Sequence, residues 1–318
     1  MFFIFISSFM LIEKNMEEKR FQFEKETPSY YTKLQVSEKT VMQSFAIDEI
    51  NRHIYISQVK GGQDNKGAES FVITKTTMDG IMIDSMTLTY GGHGTSIGVE
   101  VTDGIVYIWS SYDKVDKKGT MIGHDLVRFK YIGGATYTPS SPSLERYSDL
   151  INTDPKVQIA PSIDNKNGKI AVRQRVGKKQ KVDVYNIEDV LNNRNRKLYS
   201  FDVPTDLSYL QGLSLDGKFI YWRTGDTNGK KFKDLVTVFD ITTGNIVLKE
   251  QITSGMDLAP YESNFREPEG VFMYTNPNTG EKSLYIGVVT GAPGKRINRL
   301  YVYHSPKKEK IFPTISFQ

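Results

Sequence analysis

No cysteine occurs in the chain, which excludes disulfides, thiol nucleophiles and cysteine-ligated zinc together. Histidine is almost as scarce: His53, His93, His124 and His304 are scattered without the spacing of a metal site. Neither sign of charge dominates, since 41 basic residues against 37 acidic leave +4, too mild a balance to indicate nucleic acid as a partner. No Gly-x-Ser-x-Gly elbow is present. Apolar residues at helical spacing are confined to "NIEDVLNNRNR", where Asn186 can cap a short helix. The longest apolar run, "MFFIFISSFMLI" at the start, is too short to span a bilayer comfortably. It has no preceding Lys or Arg and no small-residue cleavage site, and a charge run, "EKNMEEKRFQFEKE", follows it. A cryptic targeting segment and a start placed ahead of Met16 both fit. Residues 1–28 are therefore set apart as a poorly ordered N-terminal segment, and 29–318 as one domain.

What is abundant is a hairpin. "SLDGKFIYW" (Ser214 to Trp222) joins two apolar-rich runs through Asp-Gly, the pair that tolerates the positive φ of a tight hairpin turn. The strand before the turn recurs as "QSFAID" from Gln43, "TSIGVE" from Thr95, "IAPSID" from Ile159, "QGLSLD" from Gln211 and "EGVFMY" from Glu269, at separations of about 52 to 64 residues. The strand after it recurs as "HIYISQ", "IVYIWS", "KIAVRQ", "FIYWRT" and "SLYIGV", placing Tyr55, Tyr107, Ala171, Tyr221 and Tyr285 in one register. Third strands follow in every unit, and fourth strands fit Ile81 to Thr89, Lys197 to Val203 and Ile246 to Ile252. Five such units without intervening helices predict an all-β fold, a five-bladed β-propeller of four-stranded antiparallel blades. A β-sandwich, or two small β domains, is the competing arrangement. "SYYTKLQV", Ser29 to Val36, and the C-terminal "KIFPTISFQ" both qualify as the strand that closes the ring.

Because the first two strands of a unit are antiparallel, the start of the first and the end of the second meet at the rim opposite the turn. Ser57, Trp109, Arg173 and Arg223 fall at the end of second strands, and Gln43, His93, Gln211 and Glu269 near the start of first strands. These eight are the candidate ligand-binding residues: Trp109 to stack on a sugar, Gln, His and Glu to bond hydroxyls, Arg173 and Arg223 to hold a phosphate. Space-filling between blades and internal pairing are the competing roles for each. The glycine-rich "YGGHGTSIG" (Tyr90 to Gly98) either lets a ligand approach the backbone or is a wide turn between sheets. No catalytic residue, metal or cofactor is assigned, though Glu267, Glu269, Glu100 and Asp48 are the nearest candidates for a glycosidase carboxylate pair.

The stretches "QSFAIDEINRHIYISQ", "GHGTSIGVEVTDGIVYIWSSYD", "QGLSLDGKFIYW" and "EPEGVFMYTNPNTGEKSLYIG" resemble a β-propeller family. It comprises receptor-binding tail proteins of staphylococcal phages, teichoic acid biosynthesis protein C of bacilli and, more distantly, helveticin J-like bacteriocins. The likeness runs from about Phe45 to His304 and rests on blade motifs. It implies five blades and, for phage members, recognition of N-acetylglucosamine-decorated wall teichoic acid, a polyol-phosphate polymer, by homotrimers at the tail tip. The expected function is thus a non-enzymatic module binding cell-wall teichoic acid or another surface glycan, on a virion tail or at the cell surface. A secreted bacteriocin and a propeller glycosidase or lyase are the alternatives. The family's helical stem, which trimerises and binds metal through histidines, has no counterpart here, so the chain reads as an isolated propeller.

Overall fold

The computed structural model describes residues 19–61, 69–116, 120–147 and 156–305. After a lone strand β1 (Ser29–Lys33), the chain lays down five antiparallel sheets. The first blade is β2 (Met42–Asp48), β3 (His53–Val59), β4 (Phe71–Thr77) and β5 (Met82–Leu88). The second has β6 (Ile97–Thr102), β7 (Ile105–Val115), β8 (Met121–Lys130) and a two-residue outer strand β10 (Glu145–Arg146). On the way to β10, β9 (Thr136–Tyr137) pairs parallel with β5 and adds a fifth strand to the first blade. The third blade comprises β11 (Gln158–Asp164), β12 (Lys169–Val176), β13 (Lys179–Asn186) and β14 (Lys197–Val203), with the short helix α1 (Ile187–Leu191) between the last two. The fourth is β15 (Leu210–Asp216), β16 (Phe219–Thr224), β17 (Leu235–Asp240) and β18 (Ile246–Gln251). The fifth takes β19 (Arg266–Thr275), β20 (Lys282–Thr290) and β21 (Ile297–His304), and β1 returns as its outer strand. The chain is thus a five-bladed β-propeller closed by its N-terminal side. The rival closing strand, "KIFPTISFQ", lies outside the described residues, as do residues 1–18.

The first strands neighbour one another around the axis in the order β2, β6, β11, β15, β19 and back to β2. Blade packs on blade through five apolar clusters, one per interface. Inner strands are covered on both faces, so β16 is buried throughout, whereas outer strands such as β14 and β18 alternate toward solvent. Phe21 and Phe23 come from the segment set apart as poorly ordered. Yet Phe23 is fully buried between the fourth and fifth blades, where its ring meets Tyr303 edge-on at 5.6 Å. The domain therefore starts earlier than Ser29.

The Asp-Gly turns differ: in the fourth blade Asp216 pairs Phe219, so the turn is Gly217-Lys218 with only Gly217 at positive φ, 59°. Between β6 and β7, Asp103 and Gly104 have φ of 51° and 73°, both positive, as a primed two-residue hairpin demands. Neighbouring first strands also interlock: the Ser162 hydroxyl accepts the Leu215 N–H at 2.9 Å, and Ser214 accepts Met273 N–H at 2.9 Å. Each contact joins the fourth position of one first strand to the fifth of the next. The second blade obeys the same rule, because a Cβ on Gly98 would lie 2.6 Å from Ile163. That rule fixes Gly98 as equivalent to Ser162 and Ser214, and its partner across the hairpin is Trp109. The arms of this hairpin run two residues further past that position than in the first, third and fourth blades and one further than in the fifth, so Trp109, not Tyr107, occupies the position of Tyr55, Ala171, Tyr221 and Tyr285. The residue equivalent to Arg173 is Ser111.

Candidate functional site

With the register corrected, the second strands end at the rim in Ser57, Ser111, Arg173, Arg223 and Gly287. Two residues ahead of each one's third-strand partner stand Phe71, His124, Gln180, Asp234 and Asn298. Same-face neighbours in antiparallel sheets interact, so what each second-strand residue can do depends on this third-strand residue. In the fourth blade the pair is Arg223 and Asp234, both fully buried, with Nε 2.9 Å and Nη2 2.7 Å from the carboxylate oxygens. Arg223 Nη1 donates to the carbonyls of Gly270 and Gly287, and Arg266 binds the same Asp234 oxygen at 2.6 Å. Arg223 is therefore an internal brace between blades and not a phosphate ligand.

The third blade replaces the acid by an amide. Arg173, only 5% exposed, donates from Nε and Nη2 to the Gln180 side-chain carbonyl at 3.2 and 2.9 Å. Gln180 is itself anchored on the Leu207 carbonyl at 3.2 Å. Among the described residues no carboxylate pairs with Arg173. Burial, and then the neighbouring Arg175, push its pKa down to about 9, so at neutral pH it is a cation without a counter-ion.

Arg173 borders a depression of about 450 Å³ whose walls include Glu69, His93, Ser111, Asp113, His124, Arg175 and Tyr209. Burial and then Arg173 lower His124 to about 4. Its Nδ1 accepts the Ile159 N–H at 3.4 Å, which puts the proton of the neutral ring on Nε2, 3.5 Å from Asp113 Oδ1. Asp113 is raised to about 6 by burial and next by Glu69, with His93 opposing. His93, exposed, holds Glu69 through Nδ1 at 2.6 Å. The depression is thus polar, with one buried cation on its floor. Among the described residues no three carboxylate or imidazole groups converge as a metal site would require.

The remaining sequence candidates divide. Gln43, half-buried, lines a second depression of about 660 Å³ together with His93, Lys39 and Arg296. Gln211 donates to the Gly225 carbonyl at 3.0 Å. Ser57 is buried and donates to the Gly94 carbonyl at 2.7 Å, bracing the glycine-rich loop. That loop is the wide turn between sheets: a Cβ on Gly91 would lie 2.7 Å from the Phe71 ring and one on Gly92 2.2 Å from Asp113. Trp109 is wholly buried, stacked on Tyr147 at 5.2 Å with its Nε1 donating to Glu100 at 2.6 Å, so it is closed to a sugar. Glu269 is buried, and desolvation, followed by Glu267, raises its pKa well above the usual carboxylate range. Glu100 is taken up by Trp109 and Arg128, and Asp48 caps its own turn through the Ile50 and Asn51 N–H groups.

The sequence reading missed Tyr209. It stands just ahead of β15, is 49% exposed on the wall of the first depression, and stacks on Phe232 at 4.3 Å and 26°. The signal was its place in a linker entering a first strand, which the topology assigns to the rim.

A polar rim carried on five blades has relatives. The chain belongs to the phage five-bladed β-propeller receptor-binding platform domain family, whose model matches residues 41–302. It is 45% identical over 294 residues to the putative major teichoic acid biosynthesis protein C of Bacillus subtilis strain 168, covering 91% of this chain and 65% of that protein. The tail fiber of Staphylococcus aureus phage P68 superposes with a TM-score of 0.75 at 27% identity, over 90% of this chain and 54% of the fiber. The chain spans less than two thirds of the length of either relative.

Proposed function

We propose that the protein is a binding module for a cell-wall polyol-phosphate polymer, wall teichoic acid, and acts without turnover. The observation that carries this reading is Arg173: a nearly buried guanidinium beside an open depression, lacking the carboxylate that its counterpart Arg223 possesses. A phosphate oxygen supplies the missing charge, and Tyr209 offers a sugar face on the adjoining wall. The names of the two relatives, one from teichoic acid biosynthesis and one a phage tail fiber, point the same way. In this reading N-acetylglucosamine decorating the polymer packs on Tyr209, and the protein works on a virion tail or outside the cell. The test is retention on purified walls with and without teichoic acid, and with and without N-acetylglucosamine. Binding should require the polymer, weaken with salt, and release no sugar. Equal retention on walls stripped of teichoic acid would sink the proposal.

A further inference from the structure

The second depression adjoins the first, because His93 lines both. On its far side is Arg296, in the turn between β20 and β21. Its guanidinium carbon sits 3.4 Å above the centre of the Phe265 ring, and Nη1 donates to the Gly291 carbonyl. No carboxylate pairs with it among the described residues. Glu267, the acid that acts on it through space, has its Oε1 bonded by the Thr227 hydroxyl at 3.2 Å. Lys39, exposed, lies in the same depression. Between Arg173 and Arg296 stands the His93–Glu69 pair, joined at 2.6 Å. Glu38 also lines this depression, its Oε2 accepting the Gly61 N–H at 3.1 Å. Across the rim two arginines are therefore separated by a hydrogen-bonded polar pair.

Resting on the binding function proposed above, we infer that the two depressions form one groove that takes successive anionic repeats of the polymer, one phosphate at Arg173 and a later one at Arg296. A chain of phosphates separated by uncharged polyol and sugar carries the complementary pattern. Linked binding of the second phosphate is intramolecular and gains from effective concentration, so the groove reads polymer length, not the single repeat.

The test uses the full chain with synthetic glycerol-phosphate oligomers of one, three and six repeats, measured by competition against immobilised wall teichoic acid. A single site gains at most about sixfold from six equivalent repeats, by counting alone. The wild type should bind six repeats more than tenfold tighter than one. Arg296→Ala should weaken the one-repeat ligand by no more than about twofold, the loss of one of two subsites, and cut the six-repeat gain to the statistical value. A wild-type gain no larger than statistical, or an Arg296→Ala variant that keeps the full gain, overturns the inference. Arg173→Ala separates this failure from that of the parent reading. If Arg173→Ala weakens every oligomer while Arg296→Ala changes nothing, only the second subsite falls. If Arg173→Ala is also silent, the whole rim falls. Circular dichroism of Arg296→Ala checks that the surface turn leaves the fold intact.

Discussion

Arg173 and Arg223 occupy one strand position in adjacent blades and should respond in opposite ways to the same substitution. Arg173→Met removes a buried cation that no carboxylate pairs among the described residues, and two hydrogen bonds to a single amide oxygen. The freed desolvation penalty and the orphaned Gln180 oxygen, each about 1–3 kcal/mol, oppose one another, so stability should stay within about 1 kcal/mol of the wild type. Arg223→Met breaks a wholly buried pair and two bonds to neighbouring backbone, leaving Asp234 to Arg266 alone. That loss should cost about 3–5 kcal/mol. Binding should move the other way. A charge-assisted bond to phosphate contributes about 1.5–3 kcal/mol, so Arg173→Met should weaken wall teichoic acid binding about tenfold to a hundredfold. Arg223→Met, in the molecules that remain folded, should bind as the wild type does. Urea denaturation and calorimetric titration read the two quantities separately. If Arg173→Met destabilises the fold as much as Arg223→Met, or binds with unchanged affinity, the assignment of an uncompensated cation to a ligand is wrong.

Further expectations concern titration, the core and ring closure. Asp113, raised to about 6 and facing Glu69, His93 and His124, loses its charge as pH falls from 7 to 5, while His124, lowered to about 4, stays neutral. Polyanion binding should strengthen over that window, and Asp113→Asn should remove this component. The folded state takes up the Asp113 proton more readily than the unfolded chain, so this group's contribution to stability rises as pH drops from about 6 toward its unfolded value near 3.9. Trp109 and Trp222 are both fully buried, so tryptophan emission should be blue-shifted, resistant to iodide, and unmoved by ligand. Ligand-induced quenching that survives in Trp222→Phe would show Trp109 to be reachable after all. Phe23→Ala should cost about 3–5 kcal/mol by emptying its place between blades, as chemical denaturation would measure. Deleting residues 1–33 should expose the edge of β21 and produce oligomers on size exclusion, whereas starting at Met16 should leave the fold intact.

Much of the fold was legible because hairpin chemistry is local: an apolar alternation, a glycine turn and a second alternation need no distant partner to be recognised. The count of five blades, the outer strands Lys197–Val203 and Ile246–Gln251, and one of the two candidates for closure were all visible in this way. Register was not. Aligning the second blade on its tyrosine ignored a hairpin with longer paired arms, and so moved Trp109 from the core to the rim. The two arginines looked alike because the residue that separates their fates lies on the third strand. Setting "QKV" at Gln180 beside "DLV" at Asp234 exposes the exchange of acid for amide, and a comparison of third strands would have found it. Tyr209 escaped because the search stopped at strand ends and left the linkers out.

The seam between β1 and β21 also has a temporal side. Of the propeller's strands the closing one leaves the ribosome first, yet its partner emerges some 270 residues later, a wait of about 13–54 s at ordinary elongation rates. Through that interval the nascent blades present an unsealed flank, and the final pairing couples the first and last strands of the propeller in a single cooperative step.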